Sequence, residues 1–214
     1  MIAVVTRAAA ARAAQVLWFS FAMLPLVSCG AVEVPETRFY RLEPAPIPGP
    51  ISVARRVLRV EAFAVAPHLA GDRLITAIGP YRLAPHAHDL WAAPLDQLVT
   101  DASVRSLLES RRFKAVLGPT ERGEADLSVS ARVVQFEEYG DGGAWAGRAE
   151  VAFLLRDEHS GKVVWQGSLR EVVPTATAEP THVVHALNLA LAKVLTRFCS
   201  MADKEGSIRA TPAR

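Results

Sequence analysis

The residue whose chemistry is easiest to name is Cys29. It closes the run Leu26-Val27-Ser28-Cys29, in which a leucine, a branched residue and a small residue lead into a thiol. The thiol of such a cysteine takes a diacylglycerol group, and a peptidase cutting just before it needs small side chains at the cut. Leu26, Val27 and Ser28 therefore read as the peptidase recognition residues and Cys29 as the lipid attachment site. The flanks agree. Arg7 and Arg12 are the only charges before Glu33, and an apolar run from Ala13 to Val27 follows them. That run is shorter than the roughly 20 residues a membrane-spanning helix needs and suits the apolar region of a signal peptide. The sequence predicts that residues 1–28 are removed and that residues 29–37 form a lipidated tether. Gly30, where an Asp would favour inner-membrane retention, points to the periplasmic side of the outer membrane.

Other side chains that could do chemistry are few. Cys199 is the second of two cysteines, and with Cys29 acylated it has no disulfide partner. It sits at the end of an apolar helical stretch and reads as a small buried hydrophobe. His86-x-His88 with Asp89 is the one metal-like grouping, but a stable site takes three or four ligands. The sequence reads it as a solvated loop before a helix, with no metal. His182 and His185 read as an exposed helix face. There is no Gly-x-Ser-x-Gly elbow and no phosphate-binding Gly-x4-Gly-Lys loop. Gly140-Asp141-Gly142-Gly143 reads as a flexible connection between strands, with Tyr139 and Trp145 beside it. No catalytic residue and no cofactor is expected, and the chain reads as a non-enzyme. The whole chain carries 24 Lys+Arg and 22 Asp+Glu; residues 1–28 remove two Arg, so the mature part is formally neutral. That balance offers no footprint for nucleic acid.

The elements that must position these residues follow from periodicity. Arg38 to Leu42 reads as a short strand, and Pro44, Pro46, Pro48 and Pro50 as a stiff extended connection. Val57 to Val65 reads as a strand. Leu74 to Ile78 and Tyr81 to Leu83 read as a hairpin around Gly79-Pro80. Pro94 opens a helix to about Arg111. Its apolar residues fall on two faces, Leu95, Leu98, Val99 and Ala102 against Val104, Leu107 and Leu108, so burial on two sides or contact with another subunit is expected. Phe113 to Leu117 reads as a strand. Leu127, Val129, Ala131 and Val133 alternate with polar residues, and Val134 and Phe136 take the opposite phase, which marks a bulge. Two more alternating runs, through Leu155 and from Val163 to Val173, complete an antiparallel meander of three strands. Pro180 starts a last helix with Val183, Leu187, Ala190, Leu191, Val194 and Phe198 on one stripe. The expected fold is α+β: a mainly antiparallel sheet with a three-strand C-terminal meander, packed against two main helices, in a domain over 38–199, followed by a disordered tail over 200–214.

Several segments, taken in order, resemble the ABC-type transport auxiliary lipoprotein family, in particular its PqiC-type members. They are Phe39-Tyr40-x-Leu42, Pro67-His68-Leu69-Ala70-Gly71, Leu90-Trp91-Ala92-Ala93-Pro94-Leu95-Asp96-Gln97, the strand from Asp126-Leu127-x-Val129 to Phe136, and the final helix. The Leu-Trp-Ala-x-Pro-Leu-Asp-Gln stretch is the most specific, and the proline-rich insert departs from the pattern. The resemblance implies an accessory lipoprotein of an MCE-domain lipid transport system. It would dock a periplasmic MCE assembly to the outer membrane, alongside a permease and ATPase on other chains, and would form a homo-oligomer. Within the specific stretch, Trp91, Pro94, Leu95, Asp96 and Gln97 are candidate interface residues. The alternative is a periplasmic lipid carrier with an apolar cavity of its own.

Overall fold

The computed structural model describes residues 35–48 and 56–208. The signal peptide, Leu26, Val27, Ser28, Cys29 and Pro50 lie outside the described residues.

One strand organises the sheet. β7 (Leu127–Asp141) is 15 residues long. Along one edge it takes β8 (Ala144–Asp157) in antiparallel register over its whole length, and β8 takes β9 (Val163–Thr175) the same way. Three short strands line up in succession on the other edge, all parallel to it. β2 (Val57–Val60) lies beside residues 127–129, β3 (Ala64–Val65) beside 132–133, and β4 (Arg73–Ile78) beside 138–140. β5 (Arg82–Trp91) is antiparallel to β4, and β1 (Arg38–Tyr40) is parallel to β5. β6 (Ala115–Leu117) is parallel to β2.

The meander is as expected, but the nine-stranded sheet is mixed rather than mainly antiparallel. Hairpins leave a local mark in sequence: Gly142 and Gly143, with φ of 56° and 93°, make the two-residue turn that twists with its strands. Parallel partners are joined by long crossovers that leave none. The bulge falls where the phase changes, between Val133 and Gln135. Gly140 and Asp141 belong to β7, so the loop is shorter than the glycine-rich run suggests. Trp145 lies across Gly140, where a Cβ would come within 2.5 Å of its ring. The Arg148 guanidinium sits 4.4 Å over the Tyr139 ring. Neither aromatic is a loose loop tip.

The two helices are α1 (Leu95–Glu109) and α2 (Pro180–Ile208). α2 is long and apolar enough to cross a bilayer by composition, yet its expected stripe is wholly buried, together with Ala186, Leu195 and Cys199. It comes so close to β8 that a Cβ on Gly147 would lie 2.7 Å from the Leu187 amide nitrogen. Phe198 stacks on Phe153 at 4.7 Å, with Trp165 at 6.2 Å from Phe198 and Phe63 edge-on to Phe153. α2 also continues past residue 199, where a disordered tail was expected. Ala202 is buried and Asp203 holds Arg112 at 2.6 Å.

α1 corrects the two-face expectation. It buries one face, and the gaps in its apolar stripe are filled by Thr100, Ser103 and Ser106, while Leu108 is left exposed. Small hydroxyl side chains fit such core positions, and of these Thr100 is satisfied by the backbone while the Ser103 hydroxyl is buried without a hydrogen-bond partner. Thr100 donates to the Asp96 carbonyl and accepts from the Phe63 amide.

Candidate functional site

The most specific sequence stretch forms the passage from β5 into α1. Trp91 ends β5, is 3% exposed and packs against Phe136 at 5.8 Å. Leu95 is 2% exposed. Both are core residues, and of the five candidate interface residues only Pro94, Asp96 and Gln97 reach the surface. Pro94 precedes the first helical residue, and Asp96 in the first turn complements the helix dipole. Backbone hydrogen bonds bind the stretch to two other segments: the Trp91 and Leu95 amides donate to the Asp72 and Gly71 carbonyls, and the Ala92 amide donates to Tyr40. Gly71, at φ 117°, makes the turn that presents its carbonyl. Three segments that carry the family resemblance thus form one stitched unit around β1.

Beside that unit is a cluster that the sequence shows only in part. β5 carries extra residues between its pairings with β4: Arg73 faces Leu90, but Ile75 faces Pro85. The excess makes a bulge, a device that re-aims side chains. The Arg73 guanidinium holds the bulge by donating to the carbonyls of His86 and Ala87. His86 and Asp89 are thereby turned together. This corrects the reading of His86, His88 and Asp89 as a solvated loop: all three are in β5, and Asp89 is buried.

The His86 ring lies between two carboxylates. Its Nδ1 is 3.1 Å from Asp89 Oδ2 and its Nε2 is 3.2 Å from Glu138 Oε2. Thr76 on β4 donates its hydroxyl to Glu138 Oε2 at 2.5 Å and lies 2.8 Å from His86 Nε2. The other Asp89 oxygen serves β1, taking the Arg38 guanidinium at 2.8 Å and the Tyr40 hydroxyl at 3.2 Å. Glu179, just before α2, is 4.0 Å from Arg38.

The electrostatics follow from these contacts. The hydrogen bond to Glu138 raises the His86 pKa above its ordinary value, with Asp89 adding to the rise and burial opposing it. Burial pushes the Asp89 carboxyl up, but hydrogen bonds from His86 and Tyr40 and the Arg38 charge outweigh it and hold the group below its usual value. Burial and the Asp89 charge push the Tyr40 phenol up.

Thr76, His86 and Asp89 stand in the order hydroxyl, imidazole, carboxylate used by acyl-transfer enzymes. Here the hydroxyl is shared between Glu138 and the imidazole, and Thr76 is 8% exposed within the sheet. The hydroxyl is buried between a carboxylate and the ring rather than presented at an open surface. Among the described residues, no group of three or more His, Cys, Asp or Glu side chains is placed to hold a metal ion. Cys199 is fully buried, and burial pushes its thiol up to about 12. It stays protonated and inert in the folded protein.

Glu138, Thr76, Tyr40 and Arg38 were missed from sequence. Glu137-Glu138 directly after Phe136 was the available signal, because two acids inside an apolar strand must find partners when buried. Glu137 points to the other face, where Arg148 meets it at 2.5 Å and His68 lies 4.0 Å away. That face also bears open depressions. One of about 450 Å³ lies over Ser130, Ala152, Leu154 and Ser168, and one of about 360 Å³ lies beside His68, Ile75 and Leu83.

Comparison with known proteins supplies a family. The sequence profile described as "ABC-type transport auxiliary lipoprotein component" matches residues 40–198. No curated protein matches the sequence. Among solved structures, a protein from Xanthomonas campestris superposes with a TM-score of 0.73 at 20% identity, covering 82% of this chain and all of its own. A second, described as an uncharacterized protein, gives a TM-score of 0.63 at 21% identity, covering 81% of this chain and 99% of its own. At these identities the likeness is one of fold.

Proposed function

This chain belongs to the ABC-type transport auxiliary lipoprotein family, and from that premise we propose that it is a non-enzymatic docking component of an MCE-type lipid transport system. Acyl chains on Cys29 hold it to the periplasmic side of the outer membrane, and the folded domain presents a surface to the MCE assembly, whose permease and ATPase are other chains. The protein acts as a homo-oligomer.

The observation that carries this reading is the family match across nearly the whole folded domain, directly after an acylatable cysteine. β1 starts at Arg38, so only a short tether separates Cys29 from the sheet. One acyl chain contributes about 0.8 kcal/mol per buried CH2 and binds only marginally, so two or more chains suit a stable anchor. The carrier alternative needs an enclosed apolar cavity. The two depressions named above instead open on the face of the sheet away from the core, with Arg132, Gln166 and Ser168 bordering the wider one, and a third of about 690 Å³ is lined by Arg59, Lys114, Glu124, Asp126 and Glu158.

The test uses the full chain in its native envelope. Wild-type protein is expected in the outer-membrane fraction and, after mild detergent extraction, to bring down an MCE-domain protein. Cys29→Ala should leave the membrane fraction while its folded domain still binds that protein. A cleaved Cys29→Ala chain that stays on the membrane would sink the anchor. Phospholipid co-purifying with the wild type, without any MCE partner, would favour the carrier.

A further inference from the structure

We propose that His86 is the centre of a proton-controlled latch that holds β1, the strand at the root of the tether, against the sheet.

The case rests on donor counting. Imidazole has two ring nitrogens, and each faces a carboxylate oxygen, at 3.1 Å for Asp89 and 3.2 Å for Glu138. The imidazolium donates to both. A neutral ring has a single N–H. With the hydrogen on Nδ1, the Nε2 lone pair faces Glu138. With the hydrogen on Nε2, the Nδ1 lone pair faces Asp89. Thr76 cannot repair both sides, because its one hydroxyl proton goes either to Glu138 or to Nε2. Glu138 has little to spare: its side chain is 4% exposed, and its other oxygen, Oε1, is buried without a hydrogen-bond partner. Each neutral tautomer therefore sets a buried carboxylate against a lone pair, and the site is complete only with the proton present.

The charged and titratable groups facing His86 come from every neighbouring element. Asp89 lies on its own strand and Glu138 on β7. Arg73 comes from β4, through the His86 carbonyl, and Arg38 and Tyr40 come from β1 through Asp89. Glu179 stands behind Arg38 at the start of α2. Apart from Arg38 and Arg73, no cation from these elements contacts the cluster among the described residues. Arg73 is engaged with carbonyls, and Arg38 reaches only Asp89 and Glu179.

β1 is the element that should yield. It is three residues long, it pairs with β5 alone, and Phe39 on it is 65% exposed. Its side chains Arg38 and Tyr40 share one Asp89 oxygen, with Glu179 and Thr181 at the start of α2 as their further contacts, and His86 fixes the other Asp89 oxygen. Regions with few buried apolar contacts open first. The pKa directions agree, since His86 is raised and Asp89 lowered. The consequence for the tether rests on acylation of Cys29; the latch does not.

Hydrogen exchange of the full-length protein in detergent, read by mass spectrometry from pH 5.5 to 8.5 and corrected for intrinsic rates, tests the proposal. Protection of the peptide over residues 38–42 should fall about tenfold as His86 loses its proton, the scale of one charge-assisted hydrogen bond lost, while β7–β9 stay protected. His86→Gln should abolish this pH dependence and leave β1 as open as in the wild type at high pH. Should that variant misfold, Arg38→Gln with Tyr40→Phe leaves His86 between its carboxylates and cuts the holds on β1, and it too should lose the pH dependence there. A flat wild-type profile would overturn the latch, as would equal loss of protection across β7–β9, or an unchanged slope in either variant. Cys29→Ser should keep the profile. Loss of membrane attachment is a separate readout, so the anchor and the latch can fail independently.

Discussion

Two seams hold this domain together, and they are built from opposite materials. Where α2 crosses the meander, Phe153, Trp165 and Phe198 stack beneath a wholly apolar stripe. Where β5 joins β1 to β4 and β7, the contacts are Arg38, Tyr40, Thr76, His86, Asp89 and Glu138. The first seam gains its stability from buried area and has no titratable group in its aromatic centre. The second gains it from charges that must be paired to be buried at all. One domain thus joins an apolar part to a charged one, and the charged part is the one that holds its N-terminal strand.

The largest effect is expected at Phe198. Phe198→Ala should cost about 3–5 kcal/mol, the usual range for deleting a fully buried aromatic ring. Denaturant unfolding should give the same loss at pH 6 and pH 8. A loss that varied with pH would mean that the two seams are coupled.

A smaller and pH-dependent effect is expected at His86. Its folded pKa is raised above the unfolded value of about 6.5. Its stabilisation is therefore complete below about pH 6.5 and is lost as pH rises through the folded pKa. Asp89, whose pKa is lowered, acts in the opposite sense: its contribution is present above the unfolded value of about 3.9 and is lost as pH falls through the folded one. His86→Gln should cost about 1–3 kcal/mol near pH 6, the range for leaving a buried group unsatisfied. The two proteins should converge toward pH 8.5. Urea unfolding midpoints across that range provide the check.

The smallest effect lies outside both seams. Arg111 closes α1 with φ of 54°, in the left-handed region that glycine adopts freely. Arg111→Gly should stabilise by ~0.5 kcal/mol, because the relieved steric cost exceeds the added freedom of the unfolded chain. Its thermal midpoint should rise at every pH, marking a backbone effect independent of either seam.

The apolar seam was legible in the sequence and the charged one was not. Val183 to Phe198 repeats at helical spacing, the meander alternates, and the phase change at Val134 announces its bulge. These are local patterns set by side-chain periodicity. α1 was half legible, because Thr100, Ser103 and Ser106 occupy positions that look polar in a sequence and are buried in the fold. The parallel pairings of β2, β3 and β4 with β7 join distant segments and leave no local trace. His86 and Asp89 were visible as a grouping, but their environment was read as solvent. Glu138, more than fifty residues away, and the β5 bulge are what make it a buried cluster. The single most specific stretch pointed to a real structural junction, while Trp91 and Leu95 within it serve the core.

The tandem arrangement of three strands on one edge of β7 also sets a timetable. β2, β3 and β4 are complete in sequence by Ile78, but the edge they share does not begin until Leu127. A chain that emerges from its N-terminus therefore makes these strands before the edge that joins them exists, and of the three only β4, with β5, and β2, with β6, can pair in the meantime. Non-local pairing of this kind is slow, since the loop must close before any contact rewards it. Roughly two thirds of the polypeptide, through Asp141, has to be available before the sheet can assemble. Until then the chain has its β4–β5 hairpin and the segment of α1, and the sheet closes only when the spine arrives.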